Sequence, residues 1–424
     1  MTSQTEEGTT TGGAGAEAAR ERRHGSGFWT VAYVLLIVMA FATLPSPLYG
    51  LYRVRDHLSS LTITVIYAIF AVGTITALLL VPRVAGRIGR RGVMLGAVAT
   101  MMVAAGLLAA WKGLPVLLIG RLLTGVAAGL AAGTAIAYLI ELRLRADPQA
   151  SMVRARTIGT SITVGALGVG PLIGGCLAQW ASWPLTLPYL VFLGLGAVGL
   201  VGLWFVPETG APGSRATTSN QPNTSRKARL PVPAAAGTAA AFAASGLFAG
   251  LAGLILTVTL GYPSHALAGA TLFLVFSCGV VSQVATTRLQ ARRVLALGTI
   301  SMLAGLVLLV ASVRLSTPNL ALFLVSGALI GAGVGAVFKG TTGIVLEAAA
   351  PEDRVVMTSK LLIALYVGLS IPVVGAGVAL DQGASIPNTV LAFGILVALG
   401  VTVSGWALLG HRQPAESKGV QLQR

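Results

Sequence analysis

The chain has 424 residues, 55% hydrophobic and only 10% charged, with a mean hydropathy of +0.83. Soluble domains carry about 25% charged residues, so a soluble enzyme is excluded, as are a disordered chain and a disulfide scaffold. The net charge of +16 would suggest nucleic acid on a soluble protein, but here the basic residues fall in short loops between apolar runs, so no nucleic-acid partner is expected.

A helix needs about 20 apolar residues to cross a hydrocarbon core of ~30 Å. Residues 1–27 are polar and read as a disordered tail, and the apolar run that follows is too long for a signal-peptide core. Twelve runs of spanning length then follow, near 28–50, 61–82, 93–111, 114–140, 157–179, 185–206, 234–260, 266–287, 294–313, 319–346, 360–380 and 388–409. Residues 207–233, rich in Ser, Thr, Pro, Arg and Lys, read as a linker between six-helix bundles at 28–206 and 234–410, and 411–424 as a polar tail. The expected fold is an all-α polytopic membrane protein of twelve transmembrane helices in two pseudo-symmetric bundles. Its 54 glycines suit close helix packing in lipid. Cys176 and Cys278 lie at different depths of apolar spans and read as buried small hydrophobes.

Of the 29 lysines and arginines, 23 lie in the even-numbered loops and the termini and four in the odd-numbered loops. The positive-inside rule therefore places both termini in the cytoplasm. The halves also repeat. Arg90-Arg91 matches Arg292-Arg293 at an offset of 202, and Gly125, Gly129 and Glu141 match Gly331, Gly335 and Glu347 at an offset of 206. Duplicated halves are the plan of alternating-access carriers, with the substrate site near the midplane between them.

In chain order, the first feature is Leu44-Pro45-Ser46-Pro47-Leu48-Tyr49, which ends span one. It is either a plain helix terminus or a discontinuous helix lining a site through Ser46 and Tyr49. The loop from Pro82 to Arg91 follows, carrying Arg87, Gly89, Arg90 and Arg91. Span four holds Arg121 about 10 Å deep, a position that favours a cavity or a partner over lipid unless the side chain snorkels. Span five contains Gly170-Pro171-x-x-Gly174-Gly175, in which the proline bends the helix and the glycines permit close approach to span eight. Lys339 in span ten is the other intramembrane charge. It either joins Arg121 in a central space or snorkels to the cytoplasm.

These motifs resemble those of the major facilitator superfamily. The loop is similar to its Gly-…-Asp-Arg-…-Gly-Arg-Arg/Lys signature, with Pro82 and Gly86 in place of the first glycine and the aspartate. The resemblance implies a latch on the cytoplasmic side. With its acid missing, we expect Glu141 to pair with Arg87 or Arg91, and Glu347 with Arg292 or Arg293. Arg121-x-x-x-Gly125 is similar to the family's span-four motif, and Gly170-Pro171-x-x-Gly174-Gly175 to its antiporter signature. Pro207-Glu208-Thr209 is a common family ending of span six.

No Asp or Glu lies deep in a span, and no metal, nucleophile or phosphate motif is present, so neither enzymatic activity nor a cofactor is expected. The resemblance implies a monomeric inner-membrane drug/proton antiporter, exporting small organic compounds and driven by the proton gradient. An importer or exchanger of organic anions is the alternative, and a non-transporting receptor a remote one. The expected cavity is lined by Tyr33, Ser46, Tyr49, Arg121, Thr124, Phe248, Phe276, Gln283, Lys339 and Tyr366.

Overall fold

The computed structural model describes residues 10–209, 230–350 and 353–410. Among them all regular structure is helical. In chain order the helices are α1 (Thr10–Thr43), α2 (Tyr49–Asp56), α3 (Ser60–Ala110), α4 (Leu114–Ala146), α5 (Met152–Trp180) and α6 (Leu187–Phe205). They are followed by α7 (Val232–Leu254), α8 (His265–Ala285), α9 (Ala291–Arg314), α10 (Leu320–Ala348), α11 (Arg354–Asp381) and α12 (Ile386–Gly410). A 3₁₀ turn, Ser46–Leu48, joins α1 to α2, and a π-helical turn, Ile255–Thr259, extends α7.

Eleven helices among the described residues are long and apolar enough to cross a membrane, against the twelve expected. The difference lies in α3. Its 51 residues would extend about 76 Å at 1.5 Å per residue, more than two hydrocarbon thicknesses. Gly89, with φ 76° and ψ 174°, interrupts its helical conformation. Expected spans two and three therefore run together through a very short loop. At the N-terminus the expected disordered tail is helical from Thr10 onward. Its run of Ala, Glu and Arg favours helix and continues the first span. Most of the expected linker, and the C-terminal tail, lie outside the described residues.

The packing repeats as the sequence does. α1 packs on α4, α5 and α6, and α7 packs correspondingly on α10, α11 and α12. The glycines at the repeat offset make the closest contacts. A Cβ on Gly125 or Gly129 would overlap the carbonyls of Phe70 and Thr74 in α3, and one on Gly331 or Gly335 those of Val275 and Gly279 in α8. Small residues are required there because the obstacle is backbone, which cannot rotate away.

The two sets of helices, α1–α6 and α7–α12, meet chiefly along α5–α8 and α3–α11. All six tryptophans are at least 61% exposed. Trp204 and Trp406 lie near the helix ends closest to the arginine-rich loops, Trp29 lies within α1 level with the end of α6, and Trp111, Trp180 and Trp183 lie at the opposite ends. Between these belts the outward side chains, such as Val72, Val103, Ile119, Val198 and Val307, are apolar and exposed. Two aromatic belts flanking an apolar band are the signature of a multi-pass membrane protein.

Candidate translocation site and its gates

The break after α1 positions the centre of the site. Pro45 and Pro47 cannot continue the helix, so the last carbonyls of α1 lose their intrahelical partners. Arg121 of α4, 1% exposed, fills the vacancy by donating from Nη1 to the carbonyl of Ala42 at 2.6 Å. Its guanidinium also stands 4.9 Å from the centre of the Phe70 ring in α3. A helix C-terminus and an aromatic face both favour a cation, which explains how an arginine persists in an apolar interior.

Tyrosines surround it. Tyr49, Tyr67 and Tyr189 all lie within electrostatic reach of the guanidinium, and the hydroxyls of Tyr52 and Tyr189 share a hydrogen bond of 2.8 Å. From the second set of helices, Tyr366 of α11 meets Phe70 edge-on at 6.0 Å. Arg121 Nε, Tyr49 Oη, Ser46 Oγ and Ser370 Oγ are buried without hydrogen-bond partners. Ser370 lies one turn beyond Tyr366, on the same side of α11. A buried polar atom without a partner is costly, and such groups commonly await a ligand or another conformation.

The other expected lining residues go elsewhere. Tyr33 faces α6 and donates to the Leu195 carbonyl at 3.0 Å, so it packs within its own half. Thr124 returns its hydroxyl to Gly120 in its own helix, at 2.6 Å. Phe248 stacks on Phe323, with ring centres 5.3 Å apart. With Leu247, Ile255 and Leu309 this pair borders a gap with no room for even a water molecule, so it holds no small-molecule site. Phe276 lies on the α5–α8 seam, opposite Gly168. Lys339 donates to the carbonyl of Gln283 at 2.6 Å and to the hydroxyl of Thr286 at 3.4 Å, near the end of α8. The expectation of one shared space for Arg121 and Lys339 is therefore corrected. Arg121 is seven residues from the start of α4 and Lys339 nineteen from the start of α10, which separates them by about 18 Å in depth.

Span five also needs a correction. It lies against α8 as expected, but Gly170 and Gly174 pack on α1, beneath the carbonyls of Ala40 and Leu44. Gly168, Pro171 and Gly175 meet α8, at Phe273, Gly269 and His265. Residues three or four apart share a helix face, so this glycine-rich stretch serves two faces at once.

At the arginine-rich ends, Glu208 occupies the break in α3. Its two carboxylate oxygens accept from the backbone N–H groups of Arg90 and Arg91, each at 3.0 Å. The second segment of α3 thus begins with a carboxylate on its N-terminus. Gly89 must be glycine, because its φ is positive and a Cβ there would strike Glu208. Thr209 donates to Glu141 at 2.6 Å, Tyr138 to the Pro207 carbonyl at 2.8 Å, and Arg145 to the carbonyls of Glu208 and Thr209. Glu141 pairs with Arg90 at 2.7 Å, not with Arg87 or Arg91 as expected. Arg91 instead lies over Trp204 and donates to its carbonyl, and Arg87 is exposed. Among the described residues Glu347 forms no ion pair with Arg292 or Arg293, and Arg292 donates to the Leu409 carbonyl at 3.0 Å.

At the opposite ends, hydrogen bonds join the two sets of helices. Ser60 N–H donates to Asp381 at 2.9 Å, and Gln179 accepts from the His265 N–H at 2.9 Å and the Ser264 hydroxyl at 3.3 Å. Among the described residues, no hydrogen bond joins the two sets at the arginine-rich ends.

The model of the major facilitator superfamily matches residues 31–292. The chain belongs to the major facilitator superfamily, a family of transporters. Among solved structures, the crystal structure of the nucleoside transporter NupG matches with a TM-score of 0.70 and 10% identity, covering 91% of this chain and 99% of that one. At that identity the likeness is one of fold. No curated protein matches the sequence.

Within the superfamily's loop signature, Gly86 replaces the aspartate and its surroundings are open, with nothing within 4 Å of where a Cβ would stand. The acids that serve the arginine loop come from α4 and from the segment after α6. Glu208 was legible as part of the span-six ending, but its role depends on a fold that returns residue 208 to residue 90. Tyr67 and Phe70 gave no signal beyond aromatic residues in an apolar run.

Proposed function

We propose that this superfamily member is a secondary transporter of the bacterial inner membrane that exports small organic compounds by proton antiport through alternating access. In this reading α3 crosses the membrane twice, which gives twelve crossings in two six-helix bundles, and the arginine-rich face with both termini is cytoplasmic. One observation carries the transport mechanism: the two sets of helices enclose a polar centre at Arg121, and the hydrogen bonds that join them among the described residues lie at the end away from the arginines. That is the arrangement of a carrier closed to the outside. The direction of export rests on the resemblance of Gly170-Pro171-x-x-Gly174-Gly175 to the antiporter signature.

A second reading, exchange or import of organic anions, is favoured by the unpartnered Arg121 Nε and Tyr49 hydroxyl. The centre offers hydrogen-bond donors and a cation, with no carboxylate among the described residues to answer them, so a substrate oxygen anion would complete it. Flux in proteoliposomes under an imposed pH gradient separates the two readings. Export predicts that cationic or neutral organic compounds move against the proton flow, and that Arg121→Gln lowers the rate without abolishing it. Anion transport predicts saturable movement of organic acids that Arg121→Gln abolishes. Absence of flux for both classes refutes the transport assignment for these compounds. In either reading Gly175→Leu wedges the α5–α8 seam, so transport should fall at least tenfold in a protein that still purifies as a single species.

A further inference from the structure

The two hydrogen-bonded contacts between the sets of helices are related by the internal repeat. Gln179 and Asp381 are 202 residues apart, the offset that relates Arg90-Arg91 to Arg292-Arg293. Each lies at the end of a helix and accepts from the first backbone N–H of a helix in the other set. Gln179 at the end of α5 takes the N–H of His265, which opens α8, and Asp381 at the end of α11 takes the N–H of Ser60, which opens α3. The seams they close, α5–α8 and α3–α11, are the principal seams between the sets. Both acceptors use the positive end of a helix, but only one carries a charge and only one can take a proton.

We propose that Gln179 and Asp381 form a paired latch that holds the outer face closed, and that Asp381 makes it pH-responsive, so that protons on that face favour its opening. This rests on the alternating-access reading above and names where outside protons act in it. The groups facing Asp381 are the Ser59 hydroxyl and the N–H groups of Ser60 and Leu61 from α3, together with the charge of Arg53 on α2. All of them favour the ionised carboxylate. The sign follows. Ionised Asp381 holds the seam, and protonation removes the charge that the N-terminus of α3 and Arg53 attract, so the outer face opens as pH falls. Gln179, which does not titrate, holds the other seam at any pH. Asp381 stays at the outer end of α11 throughout, so it senses protons without carrying them across.

The test needs no substrate. In a Cys176→Ala, Cys278→Ala background of the full chain, spin labels at Val54→Cys and Ala384→Cys report the separation of the outer ends in lipid nanodiscs. Because its neighbours hold Asp381 below the ordinary carboxylate range, the response lies in acid: the population with separated outer ends should stay level from pH 8 to pH 5 and rise several-fold between pH 5 and pH 3. Asp381→Asn should abolish that dependence, because asparagine keeps an acceptor oxygen but cannot titrate. Gln179→Glu should add a second acid-sensitive seam and steepen the response. The proposal is overturned if the Asp381→Asn protein keeps the wild-type pH response. It is equally overturned if Gln179→Glu leaves that response unchanged, and this second arm stands even if the first variant fails to fold. Failure of flux measurements leaves these distances unaffected, so an error in the substrate reading is distinguishable from an error here.

Discussion

The arginine loop of the first half and its repeat in the second share an Arg-Arg pair at an offset of 202 and end in different structures. In both, an arginine at the start of the repeat's third helix donates to a carbonyl near the end of its sixth: Arg91 to Trp204, and Arg292 to Leu409. In the first, acids join the contact. Glu208 caps the second segment of α3 through the N–H groups of Arg90 and Arg91, and Glu141 pairs with Arg90. In the second half the Gln290 side chain makes no capping bond at the start of α9, and Glu347 is exposed. A repeat preserves the helix geometry because the geometry depends on glycines. The electrostatics diverge because a single acid, placed or missing, changes what an N-terminus can hold.

The comparison is broken most severely at the shared element. Gly125→Leu and Gly331→Leu, at matching positions, each drive a side chain into a backbone carbonyl. Overpacking costs ~1–3 kcal/mol even where side chains can yield, and more against backbone. Both variants should lose most of the monodisperse protein in detergent, and to a similar degree. If one is tolerated, the packing symmetry between the halves does not hold energetically.

The asymmetric element gives smaller effects. Glu208→Ala removes the carboxylate from the N-terminus of the second α3 segment, where lost capping costs about 1 kcal/mol. The apparent unfolding midpoint in detergent should fall by a few degrees, with Glu208→Gln recovering part of the loss. Placing a glutamate at Gln290 should raise the midpoint slightly by giving α9 the charge it lacks.

Glu141→Gln should do least among the acids of the first half, since a half-exposed ion pair contributes ~0–1 kcal/mol. Because Arg90 and Glu141 sit on α3 and α4 of the same half, breaking the pair should leave cysteine accessibility at the arginine-rich face unchanged. Glu347→Gln should be silent in both measurements. A clear shift of accessibility in the Glu141 variant would show that this pair restrains the halves in another state of the cycle.

The sequence by itself determined the membrane class, the helical fold, the positions of the spans and the internal repeat. Each follows from local quantities: run lengths of apolar residues, the distribution of arginines, and glycines at fixed offsets. It also singled out Arg121, because a charge within an apolar run must be explained. Tertiary structure alone decided what each singled-out residue touches. Gly170 and Gly174 face α1 while Gly175 faces α8, Lys339 ends near the last turn of α8, and Glu141 chooses Arg90 over its neighbours. A helix presents a new side every 100°, and one sequence does not say which side meets which partner. The partners of Arg90, Ser60 and His265 lie between about 50 and 320 residues away along the chain, and only folding brings them within 3 Å.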